Sequence, residues 1–241
     1  MQLGRDKDDS ETYKQMADVD VVMAELTLAI IVFLGTHLLS SLRPVRDWLV
    51  GALGLRTFVI IYSLLSLAII AWLGHAYARA PYVELWPQAA GTRWVPIITM
   101  PVACLLVAAG LSSPNPFSLG AGARKFDPAR PGIVAVTRHP VILGLALWSA
   151  AHLVPNGDAA SVLLFGLLTL LGLIGPASLD RKRQASLGGE TWSQVLSEAR
   201  LTPLLRALVQ IGMWRWLVAI ALYVALLTAH QTVVGVSPFP V

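Results

Sequence analysis

The chain has 241 residues, 13% of them charged and 56% hydrophobic, with a mean hydropathy of +0.66. A water-soluble domain of this length needs more polar surface to cover its core, so much of the apolar side-chain area must face lipid. The net charge of +4 is spread over short segments between apolar runs, not gathered into a cationic patch of the kind that holds nucleic acid. The single cysteine, Cys104, sits inside an apolar run, which excludes a disulfide framework and a thiolate metal cluster.

Residues 1–22 are polar, with Asp6, Lys7, Asp8, Asp9, Glu11, Asp18 and Asp20. No cationic stretch leads into an apolar core and a small-residue cleavage site, so the pattern is not that of a signal peptide. The composition predicts a disordered N-terminal extension over 1–22, with Met23 as an alternative start, followed by a transmembrane domain over 23–241.

Apolar runs of spanning length come next. They predict helices over Ala24–Leu42, Leu55–Tyr77, Trp94–Leu111, Pro140–Val154, Ala159–Leu179 and Met213–Val234. The fold class is therefore an all-α polytopic transmembrane bundle of about six helices. The fourth run rises only about 22 Å, less than a hydrocarbon core of about 30 Å. It must begin or end inside the protein, where neighbours satisfy its free backbone groups. Both of its ends are therefore candidate functional ground.

Basic residues cluster after the first run (Arg43, Arg46, Arg56), after the third (Arg124, Lys125, Arg130, Arg138) and after the fifth (Arg181, Lys182, Arg183, Arg200, Arg206). The positive-inside rule then puts these segments in the cytoplasm and both termini outside, in the inner membrane if the cell is bacterial.

Ionisable side chains within spans usually face the bundle interior and often mark a site, although histidines also serve as simple interhelical hydrogen bonders. His37 follows Gly35 and Thr36, and with Ser40 these make a small, polar stripe that would let another helix approach closely. His75 lies near the outer end of the second span. His230, beside Gln231 near the end of the sixth, reads as a wet structural histidine. Arg138 and His139 precede Pro140 at a helix N-terminus, a position that favours an anion or a carboxylate partner such as Asp127 or Asp180. His139 and His152 are about 20 Å apart along one helix, so they cannot share a metal, and a ligand partner for His152 must come from another helix. No HExxH, P-loop or GxGxxG motif occurs, and the second, third, fourth and sixth spans contain no carboxylate. What remains is single histidines on separate helices, an arrangement that can hold a haem between axial imidazoles.

Phe126-Asp127-Pro128-Ala129-Arg130-Pro131-Gly132-Ile133, Thr137-Arg138-His139-Pro140, Ala151-His152-Leu153, Asn156-Gly157-Asp158 and Gly189-Glu190-Thr191-Trp192 resemble the signature of the NnrU family, which includes the 15-cis-zeta-carotene isomerases. The likeness covers nearly all of 23–230. It implies a haem b cofactor, with His37 and His152 as the metal ligands and His75 and His139 as further cofactor-site histidines. It also implies nitrite and nitric oxide metabolism (denitrification) or cis-trans isomerisation, with the bilayer and a small hydrophobic or NO-related ligand as partners. Helix rise leaves His37 and His152 about 10 Å apart in depth, a gap that tilt or a displaced fourth helix has to absorb.

Arg138-His139-Pro140 with Gly144, and Gly189-Glu190 with Pro203, are also similar to the motifs of isoprenylcysteine carboxyl methyltransferase-type enzymes, which use S-adenosylmethionine. The chain departs from that pattern at Val141-Ile142 and Trp192. A methyltransferase-like enzyme is thus the alternative reading, and a non-catalytic assembly or transport factor a third.

Overall fold

Lipid offers no hydrogen-bond partners, so each apolar run has to close its backbone bonds on itself, and a helix does this. The computed structural model describes residues 3–119, 122 and 125–240. It is built from helices, and among those residues the only β pairing is one isolated bridge between Glu84 and Asp158.

In chain order these are α1 (Leu3–Ser41), α2 (Arg43–Leu53), α3 (Leu55–Arg79), α4 (Trp94–Ser112), the single turn α5 (Ile133–Val136) and α6 (Pro140–Leu153). There follow α7 (Ala159–Ser161), α8 (Leu167–Leu187), α9 (Gly189–Arg200), α10 (Leu204–Gln210) and α11 (Met213–Val234). A π-helical turn, Val162–Gly166, joins α7 to α8.

Among the described residues five stretches are long and apolar enough to cross a bilayer: Val19–Leu39, Leu55–Arg79, Gly91–Ser112, Ala159–Leu187 and Met213–Val234. The sixth expected span is α6, with 14 residues. The protein is thus a multi-pass membrane protein with the all-α, roughly six-helix architecture that the sequence predicts. Two boundaries differ. The fifth run continues as helix to Leu187 instead of ending at Leu179. Helix α1 begins at Leu3 and takes in most of the extension expected to be disordered. Once an apolar stretch has nucleated a helix, each further residue adds one hydrogen bond, which lets a polar segment continue it. Arg124 lies outside the described residues.

The helices gather into two compact units that no linker in the sequence marks: the chain up to Leu85 with Asp158–Leu164, and Trp86–Gly157 with Phe165–Val241.

In the first unit α1 packs antiparallel to α3. Trp72 Nε1, late in α3, donates to Glu25 Oε1, early in the α1 span, at 3.3 Å. Leu26, Ala29, Ile30, Phe58, Ile69, Leu73 and Ala76 are its buried apolar residues along these two helices. Helix α2 carries Val45, Trp48, Leu49 and Ala52 on one face and Arg43 and Asp47 on the other, and none of its residues is buried. That pattern suits a helix lying in the membrane interface. Asp158 caps α7: its Oδ1 accepts from Ser161 N at 2.9 Å, and Tyr77 OH lies 2.8 Å from Ser161 Oγ.

The second unit is organised around α6, which packs on α4 and α8. Small residues make this contact close. A Cβ on Gly144 would come within 2.9 Å of the Ala103 carbonyl oxygen and 2.8 Å of Val107 Cγ2 in α4. One on Gly172 of α8 would meet Ala146 Cβ at 2.5 Å. Without a hydrophobic drive between helices in lipid, such close backbone approach is what binds them. At one end a cap forms where described residues between α4 and α6 meet α9 and α10, around Phe117, Ile133, Val134, Trp192, Leu196 and Ile211.

Because the atoms facing Gly144 include backbone, they cannot yield cheaply. Gly144→Ala is expected to lower stability by about 1–3 kcal/mol. Thermal unfolding of purified protein in detergent checks this, and an unchanged midpoint would contradict the packing described.

Candidate functional site

Helix α6 is too short to reach both faces of a bilayer, so its ends are held by side chains, and each end gathers a polar cluster. At the N-terminal end Pro140 occupies the first turn, where its missing N–H costs nothing. No side chain caps this helix start. Asn115 staples the preceding connection: its Oδ1 accepts from the Phe117 and Ser118 amides, and its Nδ2 donates to the Arg138 carbonyl at 2.9 Å. The sequence reading did not single out Asn115; the polar Asn between two prolines was the only signal.

Asp180 in α8 then takes both candidate residues at once. Arg138 Nη2 donates to its Oδ2 at 2.8 Å, and His139 Nε2 lies 3.0 Å from its Oδ1. Of the two acids expected as partners for Arg138, Asp180 is the one used; Asp127 instead accepts from the Ala129 amide at 2.9 Å. The Arg138 guanidinium also lies over the Trp192 ring, 5.7 Å from its centre.

His139 is buried. Burial pushes its imidazole below the ordinary histidine value, with Arg138 acting in the same sense, and this outweighs the Asp180 carboxylate, which pulls the other way. A neutral ring carries one proton. The Asp180 contact assigns it to Nε2, which leaves Nδ1 as a lone-pair acceptor. Nδ1 is buried with no partner, as is Arg138 Nε.

At the C-terminal end the free carbonyls of α6 are met by side chains. Asn156 Nδ2 donates to the His152 carbonyl at 2.7 Å, and Trp86 Nε1 to that of Val154 at 3.3 Å. Gly157 is obligatory here, because a Cβ would collide with the Trp86 backbone.

His152 itself turns Nδ1 toward the Trp148 carbonyl at 2.8 Å. Its ring lies against Trp148 and Phe165, with centroids 5.6 Å away in each case. The second imidazole beside it is His230 of α11, with ring centroids 6.4 Å apart and planes 21° from parallel. His230 Nδ1 faces the Val236 carbonyl at 2.7 Å. Gly235, with φ of +83°, makes that possible by turning the chain back past the end of α11. In both rings the carbonyl contact assigns the proton to Nδ1 and leaves the Nε2 lone pair available. This is the arrangement that metal-ligating histidines use. His230, expected as a wet structural histidine, is half-buried and lies next to His152.

His37 and His75 both lie in the first unit and are exposed. The Glu25–Trp72 register puts His37 about 18 Å from that contact in one direction and His75 about 5 Å in the other, so these two cannot share a ligand. His37 stacks on Phe33 with centroids 6.0 Å apart. The stripe expected to admit another helix next to His37 does not do so within this unit. A Cβ at Gly35 would meet nothing within 4 Å, and Thr36 Oγ1 bonds back to its own helix at Val32 O, 2.8 Å. Among the described residues no three His, Cys, Asp or Glu side chains come together as a metal site.

A family model described as NnrU protein matches residues 25–238. No curated protein and no solved structure matches.

Two consequences follow from the α6 start. Asp180→Asn leaves Arg138 and His139 facing a neutral amide, and a loss of about 1–3 kcal/mol in stability is expected. Since His139 binds its proton less readily when folded, the unfolded chain protonates first. Stability is therefore lost as pH falls through the unfolded imidazole value of about 6.5 toward the lower folded one. Unfolding midpoints at about pH 8 and about pH 5.5 should fall further for the parent than for His139→Gln; equal losses would remove His139 from the account.

Proposed function

The chain belongs to the NnrU family, and we propose that it is a haem-binding membrane protein in which His152 would hold the haem iron. The observation that carries this reading is the state of the His152 ring. Its Nδ1–H is spent on the Trp148 carbonyl, its Nε2 lone pair is left free, aromatic rings flank it, and a second imidazole oriented in the same way lies 6.4 Å away.

The donor set suits haem iron, for which neutral imidazole is the usual proximal ligand. The carbonyl on Nδ1 fixes the tautomer and raises the basicity of Nε2. Trp148 and Phe165 exclude water and offer flat apolar faces. Bound haem would supply electron transfer, nitric oxide binding or polarisation of a conjugated double bond. Those are the chemistries of nitrite and nitric oxide metabolism and of cis-trans isomerisation. The absence of any carboxylate from α3, α4, α6 and α11 argues for such chemistry over proton relay along the spans. A second histidine to hold the haem would be His37 on the family resemblance or His230 on the local geometry.

Protein purified from haem-replete cells is expected to show a Soret band that His152→Ala abolishes. Of His37→Ala and His230→Ala, the one that converts the spectrum to that of a five-coordinate haem identifies the second ligand. Colourless wild-type protein would end the proposal.

The same reading puts the basic segments on the cytoplasmic side of the cell inner membrane, with both termini outside. A reporter fused within Lys125–Arg130 should read as cytoplasmic, and a periplasmic signal there would reverse the orientation.

A further inference from the structure

We propose that the cavity at the start of α6 binds a hydrogen-phosphate group, either free or as the monoester headgroup of a lipid. The proposal is independent of the haem reading.

The cavity holds about 230 Å³ and is lined by Val134, Thr137, Arg138, His139, Leu196 and Arg200, among others. That is smaller than the roughly 300–1,000 Å³ of pockets that take whole cofactors or drug-sized ligands, so it suits a small group. Two of its lining side chains carry buried polar atoms without partners, Arg138 Nε and His139 Nδ1. His139 is only 4% exposed. Buried polar atoms in native proteins are nearly always paired, and an orphan of this kind calls for an explanation. Trp192 Nε1, under the Arg138 guanidinium, is a further orphan donor in the same cap.

The two orphans ask for different things. Arg138 Nε–H needs an acceptor. His139 Nδ1, whose ring proton is committed to Asp180, needs a donor. Arg200, the last residue of α9, adds a guanidinium to the wall.

The charges come close to cancelling and then stop short. Asp180 offsets Arg138, and Arg200 in the lining adds a further positive charge. The uncapped N-terminus of the 14-residue helix α6 adds partial positive charge beside it. A carboxylate at neutral pH would supply acceptors but no O–H, and a sugar hydroxyl would supply an O–H but no charge. A hydrogen-phosphate group supplies both.

The test uses the full chain in phosphatidylcholine nanodiscs, whose diester headgroups have no hydroxyl on phosphorus. Thermal unfolding is followed with inorganic phosphate and with sulfate at matched ionic strength, and separately with phosphatidic acid replacing part of the lipid. A saturable rise in midpoint is expected with at least one of the two hydrogen-phosphate sources. A response to inorganic phosphate identifies a free ligand, and a response to phosphatidic acid alone identifies a headgroup. Sulfate, which lacks the hydroxyl, should be at least tenfold weaker. Arg200→Gln, a change at an exposed helix end that leaves the Asp180 cluster intact, should weaken the response at least tenfold while unfolding as cooperatively as the parent. No rise from either source beyond that of matched chloride would overturn the proposal. So would an equal response to sulfate, or a full response in Arg200→Gln.

Discussion

A helix that does not reach across its solvent must hand its unfinished hydrogen bonds to the rest of the protein, and α6 makes that demand on everything around it. In water the last carbonyls of a 14-residue helix would simply be hydrated. In lipid each unsatisfied group costs several kcal/mol. The second unit meets this cost with identifiable atoms. Asn156 and Trp86 take the C-terminal carbonyls, while Asn115 fixes the connection entering the N-terminus. Close packing through Gly144 and Gly172 holds the helix at the depth where those partners can reach it.

Satisfying the two ends requires polar side chains at two depths, and the chain uses different chemistry at each. The N-terminal cluster is ionic, with Asp180 bridging Arg138 and His139 beneath a cap rich in arginine. A cluster of this kind tolerates an exposed face. The C-terminal cluster is neutral and aromatic. There His152 and His230 each spend one nitrogen on a backbone carbonyl and keep the other. Imidazole is the side chain that can satisfy a local acceptor and still present a strong lone pair.

Much of this could be read in the sequence, and the gaps have physical causes. The spans and the brevity of α6 follow from hydropathy and rise per residue, and these alone pointed to its two ends. The Arg138–Asp180 pair was one of two options that charge left open. Spacing could not choose between them, because the choice depends on how α8 is rotated. Residues 3–22 looked disordered because their composition was weighed without the apolar helix they extend. The stripe at Gly35 permits close approach, but permission does not supply a neighbour, and within the first unit none uses it. The contact between His230 and His152 was not legible, because Gln231 beside it suggests only water, while Gly235 folds the chain back to hold the ring.

The rotation of α11 has a simple origin. Within the apolar stretch of this helix only 6% of residues are buried, so hydrophobicity gives it no preferred face. Its polar residues do. Taking Arg215 as zero and about 100° per residue, Ala219 falls near 40°, His230 near 60° and Tyr223 near 80°. Each of the four faces inward. Arg215 Nε reaches Ser112 Oγ at 3.0 Å, Tyr223 OH donates to the Ile97 carbonyl at 3.2 Å, and His230 lies beside His152. Ala219 is the buried residue of the helix. A spanning helix in lipid is therefore oriented by the few groups that lipid will not accept, and the arc containing them can be located by counting turns. Because His230 shares that arc with Arg215 and Tyr223, two contacts to α4 already commit α11 to presenting an imidazole inward. The pairing with His152 thus needs no special device beyond the turn at Gly235 that holds its ring.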